Sequence, residues 1–254
     1  MSESKQDEFF IGWQAESPVG IRKLVRKVAI SMLLIGILLS AALAYFQSTV
    51  TGGRLLFGKV KDFQGVIVAD PLPMLILNEP EEFTGQRIFL LTGQMKNGFD
   101  VSLANNCNLA VVKMKGQLLF DDYNAMIEMV DDSLEIVSDP KTNPLPPAVQ
   151  LGDMTIKGEI VDSKCYLGMM NPGVLNSHRA CAIKCIEGGI PPLFLLRDGA
   201  GNTNKLIMTD PNGKAINQQV IDFVAEPIEI TGKVTRRGPL LFIAVDPSSF
   251  KRLS

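Results

Sequence analysis

The chain has one histidine and four cysteines in 254 residues. That single imidazole, His178, stands among cysteines, so a Ser-His-Asp triad is excluded. Four cysteines are too few for a disulfide framework, and three of them fall in one short segment, which points to a site. There is no excess of basic charge. The formal net charge is -2, and no basic field is present to hold nucleic acid. A Gly-rich phosphate loop is also missing. Tryptophan and tyrosine are scarce, at 1 and 3, but 13 phenylalanines exclude a disordered composition.

What is present begins with one long apolar run. Val28 to Phe46 carries no charge and is long enough to cross a bilayer as a helix. Arg22, Lys23, Arg26 and Lys27 crowd its N-terminal side, whereas Arg54, Lys59 and Lys61 follow only later on the other. The positive-inside rule predicts a cytoplasmic tail over 1–27 and a transmembrane helix over 28–47, with all that follows exported. The expected location is a bacterial inner membrane with the C-terminal part in the periplasm. A cleaved signal peptide is the rival reading, because Ala42-Leu43-Ala44 resembles a cleavage site. The long leader and long apolar run favour an uncleaved anchor. Phe9, Phe10 and Trp13 offer a small apolar group for the bilayer surface, with a frayed tail as the alternative.

About 200 residues remain outside the membrane, enough for one large or two small domains. Pro140, Pro144, Pro146 and Pro147 exclude a helix or inner strand and predict a linker over 140–148. It separates 58–139 from 149–254. Both parts read as short alternating strands broken by Gly, Pro, Asn and Asp. They also resemble each other. Phe63–Asp70 matches Ile156–Asp162, Val112–Leu118 matches Ile228–Val234, and Ala125–Met129 falls opposite Leu241–Val245. Gly65 to Gly116 spans 51 positions and Gly158 to Gly232 spans 74, so the second copy is 23 residues longer. The excess lies just after its first strand. The fold class expected is mainly β, with two small OB-like β-barrel domains, the second bearing a Cys/His helical insertion; a short sandwich is the alternative. In the second copy strands are expected near Met154–Val161, Leu193–Leu196, Lys205–Met208, Ile228–Val234 and Leu240–Val245. A short helix is expected at Asn217–Val224, and turns at Asp198–Asn202 and Asp210–Gly213.

The excess is a box over 162–192, with Cys165, His178, Cys181 and Cys185 in the spacing C-x12-H-x2-C-x3-C. Ser177–Gly189 reads as one helix, with Asn176 or Ser177 as N-cap and Gly188-Gly189 as the stop. On it His178, Cys181 and Cys185 share a face, and Cys165 must return across Gly168 and Pro172-Gly173 to meet them. Met169 and Met170 ride on that loop and could add a thioether. Such a set suits zinc as a closed centre, or copper with two thiolates and an imidazole; an iron-bearing cofactor is a further option. A disulfide from Cys165 to Cys181 or Cys185 is the first alternative, since an exported loop sits in an oxidising compartment. Thiol redox chemistry is the second, with Arg179 and Lys184 beside the cysteines.

His178, Cys181 and Cys185 resemble the motif of the membrane-anchored copper chaperones that load cytochrome oxidase, and that of the oxidase's binuclear copper domain. The chaperones carry it on a thioredoxin-like fold, and the oxidase domain has a second histidine. The whole box is similar to one in uncharacterised exported or membrane-anchored bacterial proteins, and implies no activity. The resulting expectation is an accessory subunit of a respiratory or metal-handling membrane complex, used for electron transfer or metal delivery, a metal-binding rather than a catalytic chain. A structural subunit with a stapled loop and a periplasmic thiol oxidoreductase are the alternatives. Elsewhere, Cys107 reads as a half-buried free thiol, Asp121-Asp122 and Asp131-Asp132 as solvated turn ends, and Pro71–Leu77 as an edge strand or partner contact.

Overall fold

Gly65 and Gly158 sit where two strands cross too closely for any side chain. A Cβ on Gly65 would lie 2.5 Å from the Ile76 carbonyl oxygen, and one on Gly158 would lie 2.2 Å from that of Leu195. These are the bends that let a short sheet curl back on itself. In the computed structural model, which describes residues 17–48, 52–138, 142–197 and 203–253, they open two five-strand closed barrels.

The first barrel comprises β1 (Lys61–Val68), β2 (Met74–Leu77), β3 (Ile88–Thr92), β4 (Val111–Phe120) and β5 (Ala125–Met129), with a short helix α2 (Val101–Asn106) between β3 and β4. The second comprises β6 (Val149–Asp162), β7 (Pro192–Arg197), β8 (Thr203–Thr209), β9 (Ile228–Arg237) and β10 (Leu240–Val245). In the first, β1 pairs with β2 and β4, β2 with β3, β3 with β5 in parallel, and β5 with β4 to close the ring. The second repeats that order strand for strand, with β8 and β10 as its parallel pair. Registers repeat too. Gly65 faces Val112 as Gly158 faces Ile228, and Gly116 faces Met129 as Gly232 faces Val245. The residues aligned between the two copies therefore occupy the same ladder positions.

Each barrel has an apolar interior. Phe63, Phe89, Val112 and Leu118 fill the first, and Ile160, Phe194, Ile230 and Ile243 the second. A third cluster lies between them, joining Leu72, Met74, Ile76 and Leu90 of the first to Tyr166, Leu193, Ile207 and Phe242 of the second. Pro71–Leu77 is thus no edge strand: β2 is paired on both sides, and Met74 and Ile76 pack against the other barrel. Alternation explains it, because a closed barrel packed on a neighbour buries both faces of the strand. Leu145, in the proline-rich segment, is buried in the same cluster.

Two buried ion pairs cross this interface. Lys164, 1 % exposed, donates to Glu128 Oε1 at 2.8 Å and to the carbonyls of Gly93 and Met95 at 2.9 and 2.6 Å. Lys205 meets Asp121 at 2.5 Å. Asp121 is accordingly buried rather than solvated, and also caps the turn by accepting from Tyr123 N and Asn124 N. Asp131 and Asp132 are exposed, and Cys107 is a fully buried free thiol in the first barrel. The expected helix at Asn217–Val224 is two 3-10 turns, Asn217–Gln219 and Ile221–Phe223. The chain bends there so that the buried Asn217 amide can donate to Ile186 O and Ile190 O.

The described residues up to Ser48 form a separate unit. Its helix α1, Val19–Ser48, contains a span from Val19 to Phe46 whose most apolar 18 residues have a mean hydropathy of 2.4, with none of them buried. It is long and apolar enough to cross a membrane or to serve as a signal sequence. The helix starts nine residues before the uncharged run because Arg and Lys are good helix formers and can extend their charges off its end. Phe9, Phe10, Trp13 and the turn at Asp198–Asn202 lie outside the described residues.

Glu128→Ala is expected to cost about 3–5 kcal/mol, because it strands the Lys164 ammonium in the interface. Replacing both partners by apolar residues of similar size recovers most of that loss. Denaturant midpoints of the full chain in detergent measure both. A single-variant loss below about 1 kcal/mol would show that the pair does not hold the barrels together.

Candidate metal centre

The connection between β1 and β2 is Ala69–Pro73, whereas its counterpart between β6 and β7 runs from Ser163 to Pro191 and carries the Cys/His box. At the end of β6, Asp162 points a fully buried carboxylate into this segment. Its Oδ1 accepts the backbone N–H of Cys165 at 2.8 Å, which starts a wide turn over Cys165–Met169. The chain then reverses at Gly168 (φ 133°) and Gly173, where a Cβ would meet the Cys165 carbonyl oxygen at 2.8 Å. Next come a 3-10 turn, Asn176–His178, and helix α3, Arg179–Glu187.

The expected helix therefore begins later and more tightly, and neither Asn176 nor Ser177 caps it through its side chain. The reason is His178, whose ring is tied down instead. Its Nε2 is hydrogen bonded to Asp162 Oδ2 at 3.0 Å, with both groups buried. The helix stops at Gly188-Gly189 as expected. Gly98 N donates to Gly188 O at 2.7 Å, and Asn217 satisfies Ile186 O.

The four box residues come together. The ligand atoms of Cys165, His178 and Cys181 lie within 4.8 Å of one another, as do those of Asp162, Cys165 and Cys185. Cys165 belongs to both triads. Its sulfur is 4.0 Å from that of Cys185, and all the cysteines are free thiols. Thiolates sharing a tetrahedral ion at 2.3 Å stand roughly 3.8 Å apart, so the Cys165–Cys185 spacing suits a common ion. Cys165 and Cys185 are buried and Cys181 is partly exposed, so Cys181 is the sulfur nearest solvent. Met169 packs against Cys165 and Cys185, while Met170 is 46 % exposed and is not among them.

Two participants were not read from the sequence. Asp162 stands at the edge of the box, and an acid three residues before Cys165 has the usual spacing for a side chain that accepts a backbone N–H. Lys96 carries no such signal. It lies 85 residues from Cys181, on the first barrel, yet its Nζ donates to Cys181 Sγ at 2.8 Å and lies 3.8 Å from Cys185 Sγ. Close approach makes that possible: a Cβ on Gly188 would be 1.9 Å from the Lys96 carbonyl oxygen.

The electrostatics separate the thiols. A hydrogen bond from Cys165 lowers Cys185 to about 7, with the Lys96 cation and the Cys181 thiol assisting against burial and the Asp162 charge. Cys165 is driven upward by that same hydrogen bond, by burial and by Asp162. Lys96 is raised, chiefly by its bond to Cys181. The arrangement offers one thiolate near neutral pH and a protonated partner beside it. No protein-family model, curated protein or solved structure matches the chain.

In the reduced, metal-free protein one thiolate per chain is expected to appear with a midpoint near pH 7, followed by ultraviolet absorbance. Because the folded value lies below the ordinary one, Cys185 adds stability above the unfolded thiol's value and loses it as pH falls through about 7. Cys165→Ser moves the midpoint upward. A single midpoint near the ordinary thiol value in both proteins would contradict this coupling.

Proposed function

We propose that the chain is a membrane-tethered metal protein that holds one thiophilic ion through Cys165, His178, Cys181 and Cys185. The observation that carries this reading is the convergence of soft donors from the turn, the 3-10 segment and α3 on Cys165, within 4.8 Å. The donor set suits zinc, copper or iron, and the buried position of Cys165, Cys185 and His178 suits an ion that is retained. When bound, such an ion supplies either a fixed structural charge or a redox step, according to its identity.

The chain's own residues have distinct tasks in this reading. Cys165 joins the two halves of the site. Asp162 orients the His178 ring and pins the turn that presents Cys165, the kind of outer partner that tunes a metal ligand. Cys181, partly exposed, is the side from which an ion or electron exchanges with a partner.

Each barrel is read as an OB-type domain, over 58–139 and 149–254, joined by a linker at 140–148. The supporting feature is the shared strand order, with one parallel pair in each closed ring. The box is then an insertion in the loop between the first two strands, a place where OB folds carry binding loops. Basic residues before the apolar helix favour a cytoplasmic N-terminus and a periplasmic C-terminal part. A tether, a retained ion and one exposed ligand fit an accessory subunit of a membrane respiratory or metal-handling complex, engaged in electron transfer or delivery.

Metal analysis of the full chain, purified anaerobically in detergent, is expected to find one ion per chain. Cys165→Ser and His178→Ala lose it, and Asp162→Asn holds it about 10–100-fold more weakly. Native protein with no ion and with Cys165 consumed in a disulfide would replace this reading by a stapled structural loop.

A further inference from the structure

The loop Gly93–Gly98 of the first barrel sets a cation against the sulfur cluster of the second. Lys96 Nζ reaches Cys181 Sγ at 2.8 Å and Cys185 Sγ at 3.8 Å. The loop does not depend on Lys96 for its place. Lys164 Nζ donates to the carbonyls of Gly93 and Met95, and Gly98 N donates to Gly188 O. The backbones meet so closely that a Cβ on Gly98 would lie 2.3 Å from the Gly189 carbonyl oxygen. Barrel contact thus imposes the position of the Lys96 stem, even though the residue is otherwise exposed.

Charge arithmetic says what the cation is for. Three thiolates, a neutral imidazole and the buried Asp162 carboxylate around a divalent ion carry a net charge of about -2. One ammonium beside two of the sulfurs offsets about half of that excess, and its N–H donors draw electron density from the thiolates. A monovalent ion in the same ligands would leave the centre one charge more negative still, with Lys96 in place.

Resting on the metal reading above, we infer that Lys96 is the charge-compensating partner of a divalent ion, so that the site is completed only when both barrels contribute. The second barrel supplies the ligands and the first supplies the counter-charge. Ion retention and docking of the Gly93–Gly98 loop on α3 are therefore coupled, and by linkage each strengthens the other. Lys96 is a positioning residue in this scheme: it acts on the ion through the sulfurs.

Cobalt(II) added to the full chain in detergent tests this, with zinc as competitor. The wild type is expected to take one cobalt ion with a thiolate charge-transfer band. Lys96→Met weakens retention about 10–100-fold, the usual effect of losing an outer partner. It also moves the band to longer wavelength, because sulfurs that lose an N–H donor are easier to oxidise. Lys96→Arg restores both. Amide hydrogen exchange over residues 93–98 slows on cobalt loading in the wild type but not in Lys96→Met. If wild type and Lys96→Met bind cobalt with equal affinity, the same band and the same exchange, the role of Lys96 is overturned while the metal centre stands. If the wild type binds no cobalt, both readings fail together.

Discussion

A buried ammonium decides how this molecule is put together. Lys164 lies at the start of the Cys/His segment, one residue before Cys165, and it is almost wholly removed from water. A charge in that position is tolerated only with full hydrogen bonding and a counter-charge. Gly93, Met95 and Glu128 supply them, and all three belong to the other barrel. The requirement fixes the relation between the two barrels more sharply than apolar packing does, since hydrophobic contact is non-directional. The same hydrogen bonds hold the Gly93–Gly98 loop over α3, and with it Lys96 over the thiols. The barrel interface and the candidate metal centre are two consequences of one satisfied cation.

The centre is layered in the same sense. Asp162 is the last residue of a strand, so its position is as rigid as the barrel wall. From there it holds the peptide of Cys165 and the ring of His178. The cysteines on α3 are placed by a helix whose end carbonyls are taken up by Asn217 and whose last glycine meets Gly98. Sites supported by strands and helices in this way keep their geometry when a ligand arrives, which is what a retained ion requires. The neighbouring thiols Cys165 and Cys185, 4.0 Å apart, are driven in opposite directions in proton affinity.

Much of this was legible in the chain because it depends on local chemistry. Alternation and turn residues located the second barrel's strands to within a few residues, except that β6 starts five residues earlier than read, paired to β9 beyond the expected segment. Internal similarity anticipated the matched registers, since glycine is demanded wherever a neighbouring carbonyl comes within contact of the missing side chain. The spacing of His178, Cys181 and Cys185 indicated a shared helix face, and Cys165 does join them. Misreadings came where a residue answers to something distant. Asp121 resembled a solvated turn acid but is buried against Lys205; Pro71–Leu77 resembled an edge strand but is clasped between two barrels.

By itself, then, the sequence determined two β units with equivalent strands, an apolar helix ahead of them, and a dense cluster of soft ligands in one loop. Periodicity, glycine placement and residue spacing are properties of neighbours along the chain, and a linear reading reaches them. Tertiary structure alone decided that the ligand cluster faces the other barrel, that Asp162 and not solvent partners His178, and that Lys96 stands beside Cys181. Those outcomes follow from burial: once two surfaces close on each other, every enclosed charge must find its counterpart across the gap, however far away it lies in sequence.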